Sequence, residues 1–212
     1  VVEDLYRPYR PKRKTRAGVA KEKGLEPLAA FILTQETTTP IEEEAAKYIR
    51  EDEDEAKSVK TAAEALQGAK DIIAEQISDE ADYRIYIRDV TIKEGKLVTA
   101  AKDEKAESVY EMYYQYEEPI SKVAGHRVLA VNRGENEKFL TVKIEAPVDR
   151  ILQFLRTKTI INDNHVTSPI LEEVIADSYD RLIAPAIERE IRNDLTEKAE
   201  DGAISVFGKN LE

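Results

Sequence analysis

Residues 61–77 decide the fold class, and they read TAAEALQGAKDIIAEQI. Thr61 and Glu64 match a capping box, in which a hydroxyl and a carboxylate satisfy backbone amides at a helix start. The apolar residues that follow recur every three or four positions, which places them on one helix face. They are Ala65, Leu66, Ala69, Ile72, Ile73 and Ile77. The stretch therefore predicts a long amphipathic helix.

Composition extends this prediction to the rest of the chain. Its 212 residues suffice for one large domain or two small ones. Glycine and proline number eight each, and 42% of the residues are hydrophobic. A sequence dominated by Ala, Glu, Lys, Ile and Leu favours helix. We predict a mainly α fold, a multi-helix scaffold with a small β element, which admits a helix-turn-helix-like unit.

Apolar periodicity and helix start and stop signals predict further helices. They cover residues 15–24, 28–34, 41–50, 78–95, 105–116, 125–134, 148–158, 168–183 and 187–206. Gly24 and Gly134 are predicted stops, Ser168 and Pro169 a predicted start. Pro185 is expected to kink or restart the last helix.

The best strand candidate is Phe139–Ile144, because its side chains alternate between apolar and polar. A lone strand needs a partner, and residues 84–87 or 97–100 could supply one. Residues 83–92 also alternate in part, so a strand competes there with the helix.

Sequence order suggests three parts. Residues 1–57 hold a basic extended segment and short helices, residues 58–146 a helical region with the β element, and residues 147–212 long helices. The only methionine is Met112, so the chain lacks a start residue. We expect it to be a piece of a longer protein.

Motifs for catalysis are missing from the sequence. It contains no phosphate-cradling glycine loop, dinucleotide fingerprint, nucleophile elbow or paired metal-binding histidines. There is no cysteine, and His126 and His165 lie far apart. No apolar run reaches the length of a membrane span. We expect no enzymatic activity, cofactor, metal, membrane contact or small-molecule substrate.

Residues 7–16 read RPYRPKRKTR, six cations without an acid in a chain of net charge −11. Three interpretations stay open: contacts to nucleic-acid phosphates, clamps on the protein's own acidic helices, or contacts to protein partners. The candidate nucleic-acid-binding residues are Arg7, Arg10, Lys12, Arg13, Lys14 and Arg16. Tyr6 and Tyr9 could stack on unpaired bases. The acidic run 51–55 is predicted to be a solvated loop or a frayed helix start.

A second aromatic group lies at residues 110–116. Tyr110, Tyr113, Tyr114 and Tyr116 could stack on RNA, but half-buried aromatics are common in cores. We favour packing.

Three blocks of the sequence together resemble the bacterial Tex family of transcription accessory proteins. They are residues 3–28, which contain EDLYRPYRPKRKTRA and AKEKGLEPL, residues 125–135, GHRVLAVNRGE, and residues 177–192, DSYDRLIAPAIEREIR. The blocks follow the family's order and span nearly the whole chain. Gly125 stands where the resemblance leads us to expect serine.

The resemblance implies a long cytoplasmic protein that binds RNA or DNA and is related to a eukaryotic transcription elongation factor. It implies a nuclease-like fold, helix-hairpin-helix elements and a C-terminal OB-fold RNA-binding domain beyond this region. This chain would then be a scaffold that positions those domains, with non-specific phosphate contacts from the basic run. The alternative is a protein-interaction module that docks on RNA polymerase or the ribosome without touching nucleic acid.

Overall fold

The computed structural model describes residues 14–211, with side chains through residue 203. Its helices and strands follow in chain order. They are α1 (Arg16–Glu22), α2 (Glu26–Thr34), α3 (Ile41–Ala46), α4 (Ala62–Ser78), α5 (Ala81–Glu94), β1 (Lys96–Ala101), β2 (Gln115–Pro119), α6 (Gly125–Asn136), β3 (Leu140–Glu145), α7 (Val148–Thr159), α8 (Thr167–Asp177) and α9 (Ala184–Leu211). The predicted mainly α fold with a small β element is confirmed.

Contacts divide the chain into two units. Unit 1 comprises the described part of Val1–Ile77 together with Lys158–Asp177, and unit 2 comprises Ser78–Thr157 and the described part of Ser178–Glu212. Each unit combines segments that are distant in sequence. The predicted parts, 1–57, 58–146 and 147–212, follow chain order and have other boundaries.

Unit 1 is helical, and the helix caps and the glycine stop that the sequence predicts are present in it. The Thr15 hydroxyl accepts a hydrogen bond from Gly18 N at 2.9 Å and caps α1. Gly24 takes a positive φ of 77° just after α1, a backbone conformation that glycine adopts without strain. The Thr61 hydroxyl accepts from Glu64 N at 3.0 Å. The Glu64 carboxylate accepts from Lys60 N at 3.2 Å, one residue before the amide of a standard capping box.

The predicted stripe of α4 forms the core of unit 1. Ala65, Ala69, Ile72 and Ile73 have no exposed surface, and Ile77 has 6%. A fully buried isoleucine or leucine contributes roughly 1.5–3 kcal/mol through apolar burial. Tertiary burial of this face, more than helix propensity, therefore stabilises α4.

Unit 2 is built on an antiparallel sheet of order β2-β1-β3. Leu97 of β1 faces Glu118 of β2 and Ile144 of β3. The strand prediction for residues 139–144 and its partner at 97–100 are thus confirmed, and residues 84–87 lie in α5.

The helix predicted for residues 105–116 is wrong. The chain there forms a loop, a short 3₁₀ turn at Glu111–Tyr113, and then β2. The tyrosines carry the strand preference of aromatic residues, and β1 offers hydrogen-bonding groups that a local pattern does not reveal.

Two other helix ends differ from prediction. α3 ends at Ala46 rather than 50, and Arg50 forms an isolated bridge with Val59 instead. At α8 the cap is Asn164 rather than Ser168: its side-chain oxygen accepts from Val166 N at 2.8 Å and Thr167 N at 3.0 Å. The Ser168 hydroxyl instead accepts from Asn164 N at 3.0 Å.

Pro185 restarts the last helix, as predicted. The residues before it, Ser178–Ile183, form a π-helical segment. Proline has no N–H and its ring crowds the preceding turn, so a wider turn relieves the clash. Burial raises the pKa of Tyr179 in this segment, with Asp180 and Glu188 adding to the effect.

Gly134 packs against the core of unit 2. It does not end α6, although the sequence predicted a helix stop there. The helix runs to Asn136, and Lys138 takes the left-handed conformation, with φ 68°. A Cβ on Gly134 would lie 2.8 Å from Leu140 Cγ and 3.2 Å from Tyr110 Cδ1.

We expect Gly134→Ala to destabilise the protein by about 1–2 kcal/mol. Overpacking a full core costs roughly 1–3 kcal/mol, which exceeds the gain of up to about 1 kcal/mol in helix propensity. Urea unfolding of this variant measures the change. Gly202→Ala is the matched control, because a Cβ there meets nothing within 4 Å. Equal stability of the two variants would contradict the expectation.

Candidate functional site

The predicted basic site is described only at Lys14 and Arg16. Both side chains are exposed, and Arg16 is the first residue of α1. Arg7, Arg10, Lys12 and Arg13 lie outside the described residues. Phosphate contact and an internal clamp therefore both stay predictions.

Arg16 lies on a groove of mixed charge in unit 1, beside Lys23, Glu64 and Asp71. Lys23 Nζ donates to Glu64 Oε1 at 2.8 Å, and this hydrogen bond lowers the pKa of the Glu64 carboxyl. A site for phosphates needs an excess of cations. The described end of the basic run does not by itself provide that excess.

The tyrosines of residues 110–116 belong to the core of unit 2. Tyr110 is 8% exposed and Tyr113 6%. They pack in one cluster with Leu97, Val131, Leu140 and Val142, and Tyr114 and Tyr116 pack against it. The packing interpretation is confirmed.

Neither histidine lies in a recess. His126 and His165 are both exposed. Among the described residues, no group of three or more His, Asp and Glu side chains is arranged to hold a metal ion. Of the described helices, none is long and apolar enough to cross a membrane.

The most developed polar arrangement holds helix α9 within unit 2. On the α5 side, Glu190 lies 3.5 Å from Arg84 Nη2 and 3.6 Å from Arg88 Nη1, while Arg88 also pairs with Asp194. Arg84 and Arg88 are one helical turn apart, and so are Glu190 and Asp194. This spacing aligns each pair on one helix face.

The α6 side of α9 carries a second polar network. Arg192 donates to Glu135 at 2.8 Å and to the Asn132 side-chain oxygen at 2.9 Å. Asn132 Nδ2 donates in turn to Thr196 Oγ1 at 2.8 Å. A hydrogen-bonded charge network is more geometrically specific than an isolated surface ion pair.

A third contact ties α9 to the sheet. Ile144 N of edge strand β3 donates to Glu188 Oε1 at 3.0 Å. Between these polar contacts, Ile187 and Ile191 are 3% and 1% exposed. The first four turns of α9 are thus fixed on several sides.

Past Ala199, the described side chains of α9 lie at the surface. Asp201, Gly202 and Ala203 are exposed, and the helix continues to Leu211. Its 28 residues give a length of about 42 Å at 1.5 Å per residue. The backbone of α9 is thus helical well past Ala199, its last buried residue among those described.

A groove of about 410 Å³ opens where α9 meets the start of α6. Its walls are mainly apolar and include Ile120, Val128 and Leu195, with Asp194 and Lys198 at its rim. A Cβ on Gly125 would lie 3.2 Å from Ala199 Cα. The two helices approach closely here, so a serine at residue 125 would require a small shift of one of them.

Sequence analysis missed the α9 networks, although a signal existed. The four-residue spacing of Arg84 with Arg88 and of Glu190 with Asp194 is visible in the sequence. Nothing in the sequence indicated that the two pairs face each other across 106 positions.

Comparison with known proteins places the chain in a family. Residues 35–207 match the family model described as Tex central region-like. The chain belongs to the Tex family. The resemblance noted in the sequence is therefore confirmed.

Three relatives illustrate the range of this family. Uncharacterized protein YdcI of Bacillus subtilis (strain 168) is 54% identical over 99% of this chain and 29% of its own length. Transcriptional accessory protein Tex of Neisseria gonorrhoeae is 32% identical over 99% of the chain and 28% of its length. S1 RNA-binding domain-containing protein 1 of Homo sapiens is 30% identical over 99% of this chain and 22% of its own length. The chain thus spans less than a third of each relative.

Proposed function

We propose that this chain is the positioning part of a nucleic-acid-binding transcription accessory protein. Its helices fix where the RNA- or DNA-binding domains lie, and the basic run adds non-specific phosphate contacts. Support comes from the names of two relatives, one a transcriptional accessory protein and one with an S1 RNA-binding domain. The proposal includes no catalytic step, cofactor or small-molecule substrate.

The observation that carries the proposal is the anchoring of α9. Ion pairs hold it to α5, a hydrogen-bonded network holds it to α6, and its residues 201–203 are exposed. A helix fixed at one end transmits a defined direction to whatever follows it, because its backbone hydrogen bonds lie within the segment. A flexible linker would not do so.

A binding experiment separates positioning from direct binding. We expect the full-length protein to bind RNA or DNA at least about 100-fold more tightly than this chain alone at low salt, since most phosphate contacts would lie elsewhere. Fluorescence anisotropy at low and moderate salt measures both affinities. Equal affinities would contradict the proposal.

The same assay tests the basic run. Arg13→Glu and Lys14→Glu should each weaken binding by the full-length protein and reduce its salt dependence by roughly one unit of slope. The matched control is Lys105→Glu, an exposed lysine in unit 2. If all three variants bind like the wild type, the run makes no phosphate contact.

A second candidate is a protein-interaction module, with RNA polymerase or the ribosome as docking partners. The observation that favours it is the loop between β1 and β2 in unit 2, which exposes the apolar side chains of Val109 and Met112.

A further inference from the structure

The loop between β1 and β2, residues 102–114, exposes two apolar side chains close together in sequence. Val109 is 82% exposed and Met112 71%. Single exposed apolar residues are common on protein surfaces. Val109 and Met112 are only three residues apart, and exposed apolar side chains that cluster mark interaction sites.

Each of the two exposed side chains stands next to a buried tyrosine of this loop. Tyr113 N donates to Tyr110 O at 2.9 Å, an i to i+3 hydrogen bond of the 3₁₀ turn Glu111–Tyr113. Tyr110 and Tyr113 both point into the core of unit 2. Val109 and Met112 each precede one of them by one residue, and both are exposed.

Hydrogen bonds order the loop around this pair. Tyr114 OH donates to Ala106 O at 2.7 Å and lies 2.8 Å from the Ser108 hydroxyl. The Ser108 hydroxyl accepts a hydrogen bond from Tyr110 N at 3.1 Å, and Tyr110 OH donates to the Glu137 carboxylate. A surface ordered before binding loses less conformational entropy when a partner docks.

The charge around the pair indicates the chemistry of the partner. Residues 102–112 hold exposed acids at Asp103, Glu104, Glu107 and Glu111 and exposed lysines at Lys102 and Lys105, a net charge of −2. A nucleic-acid backbone would be repelled. A protein surface with cations around an apolar pocket would be complementary.

We propose that Val109 and Met112 form a docking tip, which inserts into an apolar pocket rimmed by lysine or arginine on another protein. The tip is the apolar centre of the contact, and Glu107 and Glu111 are its polar rim. This inference rests on the loop alone and holds whether or not α9 positions other domains.

Methionine oxidation in the full-length protein tests the docking tip, because Met112 is the only methionine of this chain. Oxidation follows exposure, so a covered Met112 should oxidise at least about fivefold more slowly in cells than in the purified protein. Ile85→Met supplies a matched reporter on α5, where the wild-type side chain is 59% exposed. The rate for Met112 is read relative to that reporter, by mass spectrometry.

Charge reversal tests the rim. Glu107→Lys combined with Glu111→Lys should restore the fast oxidation of Met112 in cells, because the partner's cations would be repelled. Glu42→Lys with Glu43→Lys, two exposed acids of α3, should leave the protection unchanged.

Four results would overturn the docking tip. They are equal rates for Met112 in cells and in the purified protein, protection that survives the Glu107 and Glu111 reversal, protection that ribonuclease removes, and protection that appears in the purified protein on concentration. The third would indicate RNA as the occupant, and the fourth a second copy of the chain.

Discussion

Gln35→Ala should destabilise the protein by about 2–4 kcal/mol, since a buried backbone group left without a partner costs roughly 1–3 kcal/mol and alanine is strained in a left-handed conformation. The Gln35 side chain is 3% exposed and joins α2 to the segment after α7. Its oxygen accepts from Ile161 N at 3.0 Å and Asn162 N at 3.2 Å, and its nitrogen donates to Thr159 O at 2.8 Å. Alanine removes the partner of the buried Thr159 carbonyl and of the two partly buried amides. Urea unfolding measures the loss.

Gln35→Gly separates the contribution of the side-chain hydrogen bonds to stability from that of the left-handed backbone. Gln35 has φ 58°, a left-handed conformation in which glycine is unstrained and alanine is not. We expect the glycine variant to be about 1 kcal/mol more stable than the alanine variant, but still well below the wild type. Gln115→Ala, at an exposed glutamine of β2, should change stability by less than about 0.5 kcal/mol. A loss below about 1 kcal/mol for Gln35→Ala would contradict this account.

The elements that sequence predicted well are those whose causes are local. The α4 stripe and its Thr61 cap lie within a few residues of each other, and so do the Thr15 cap and the Gly24 stop of α1. Helix periodicity, capping and left-handed glycine act over one or two turns, so they are visible in a short window.

The elements that were missed depend on distant partners. Gln35 bonds to residues 124–127 positions away, and nothing near it indicates that role. Residues 115–119 become a strand because β1 lies beside them. The α9 networks require α5 and α6 to be in place. The exposure of Met112 was equally hidden, because it depends on the turn that buries Tyr113.

Gly202→Pro should disturb the proposed positioning more than any other single change to α9. Proline at residue 202 lacks the N–H of the helical bond and clashes with the previous turn, at a cost of about 3 kcal/mol or more. The break would fall after the anchored turns and leave the contacts of Glu190, Arg192 and Asp194 in place. Gly202→Ala is the matched control, because its Cβ would meet open space.

The consequence should appear in nucleic-acid binding by the full-length protein. When domains that bind one ligand lose their fixed geometry, the effective concentration of each for the other falls. We expect affinity to fall about tenfold for Gly202→Pro and to be unchanged for Gly202→Ala. Thermal unfolding of both variants checks whether unit 2 stays intact.

The most direct measurement is the distance distribution between unit 2 and the domain that follows it in the full-length protein. One spin label is attached at Lys143→Cys, on the exposed face of the sheet, and a second in that domain. Pulsed electron paramagnetic resonance measures the distance between the two labels. Positioning predicts one narrow distribution for the wild type and Gly202→Ala, and a broad one for Gly202→Pro. A broad distribution in the wild type, or the same distribution in all three proteins, would contradict the account.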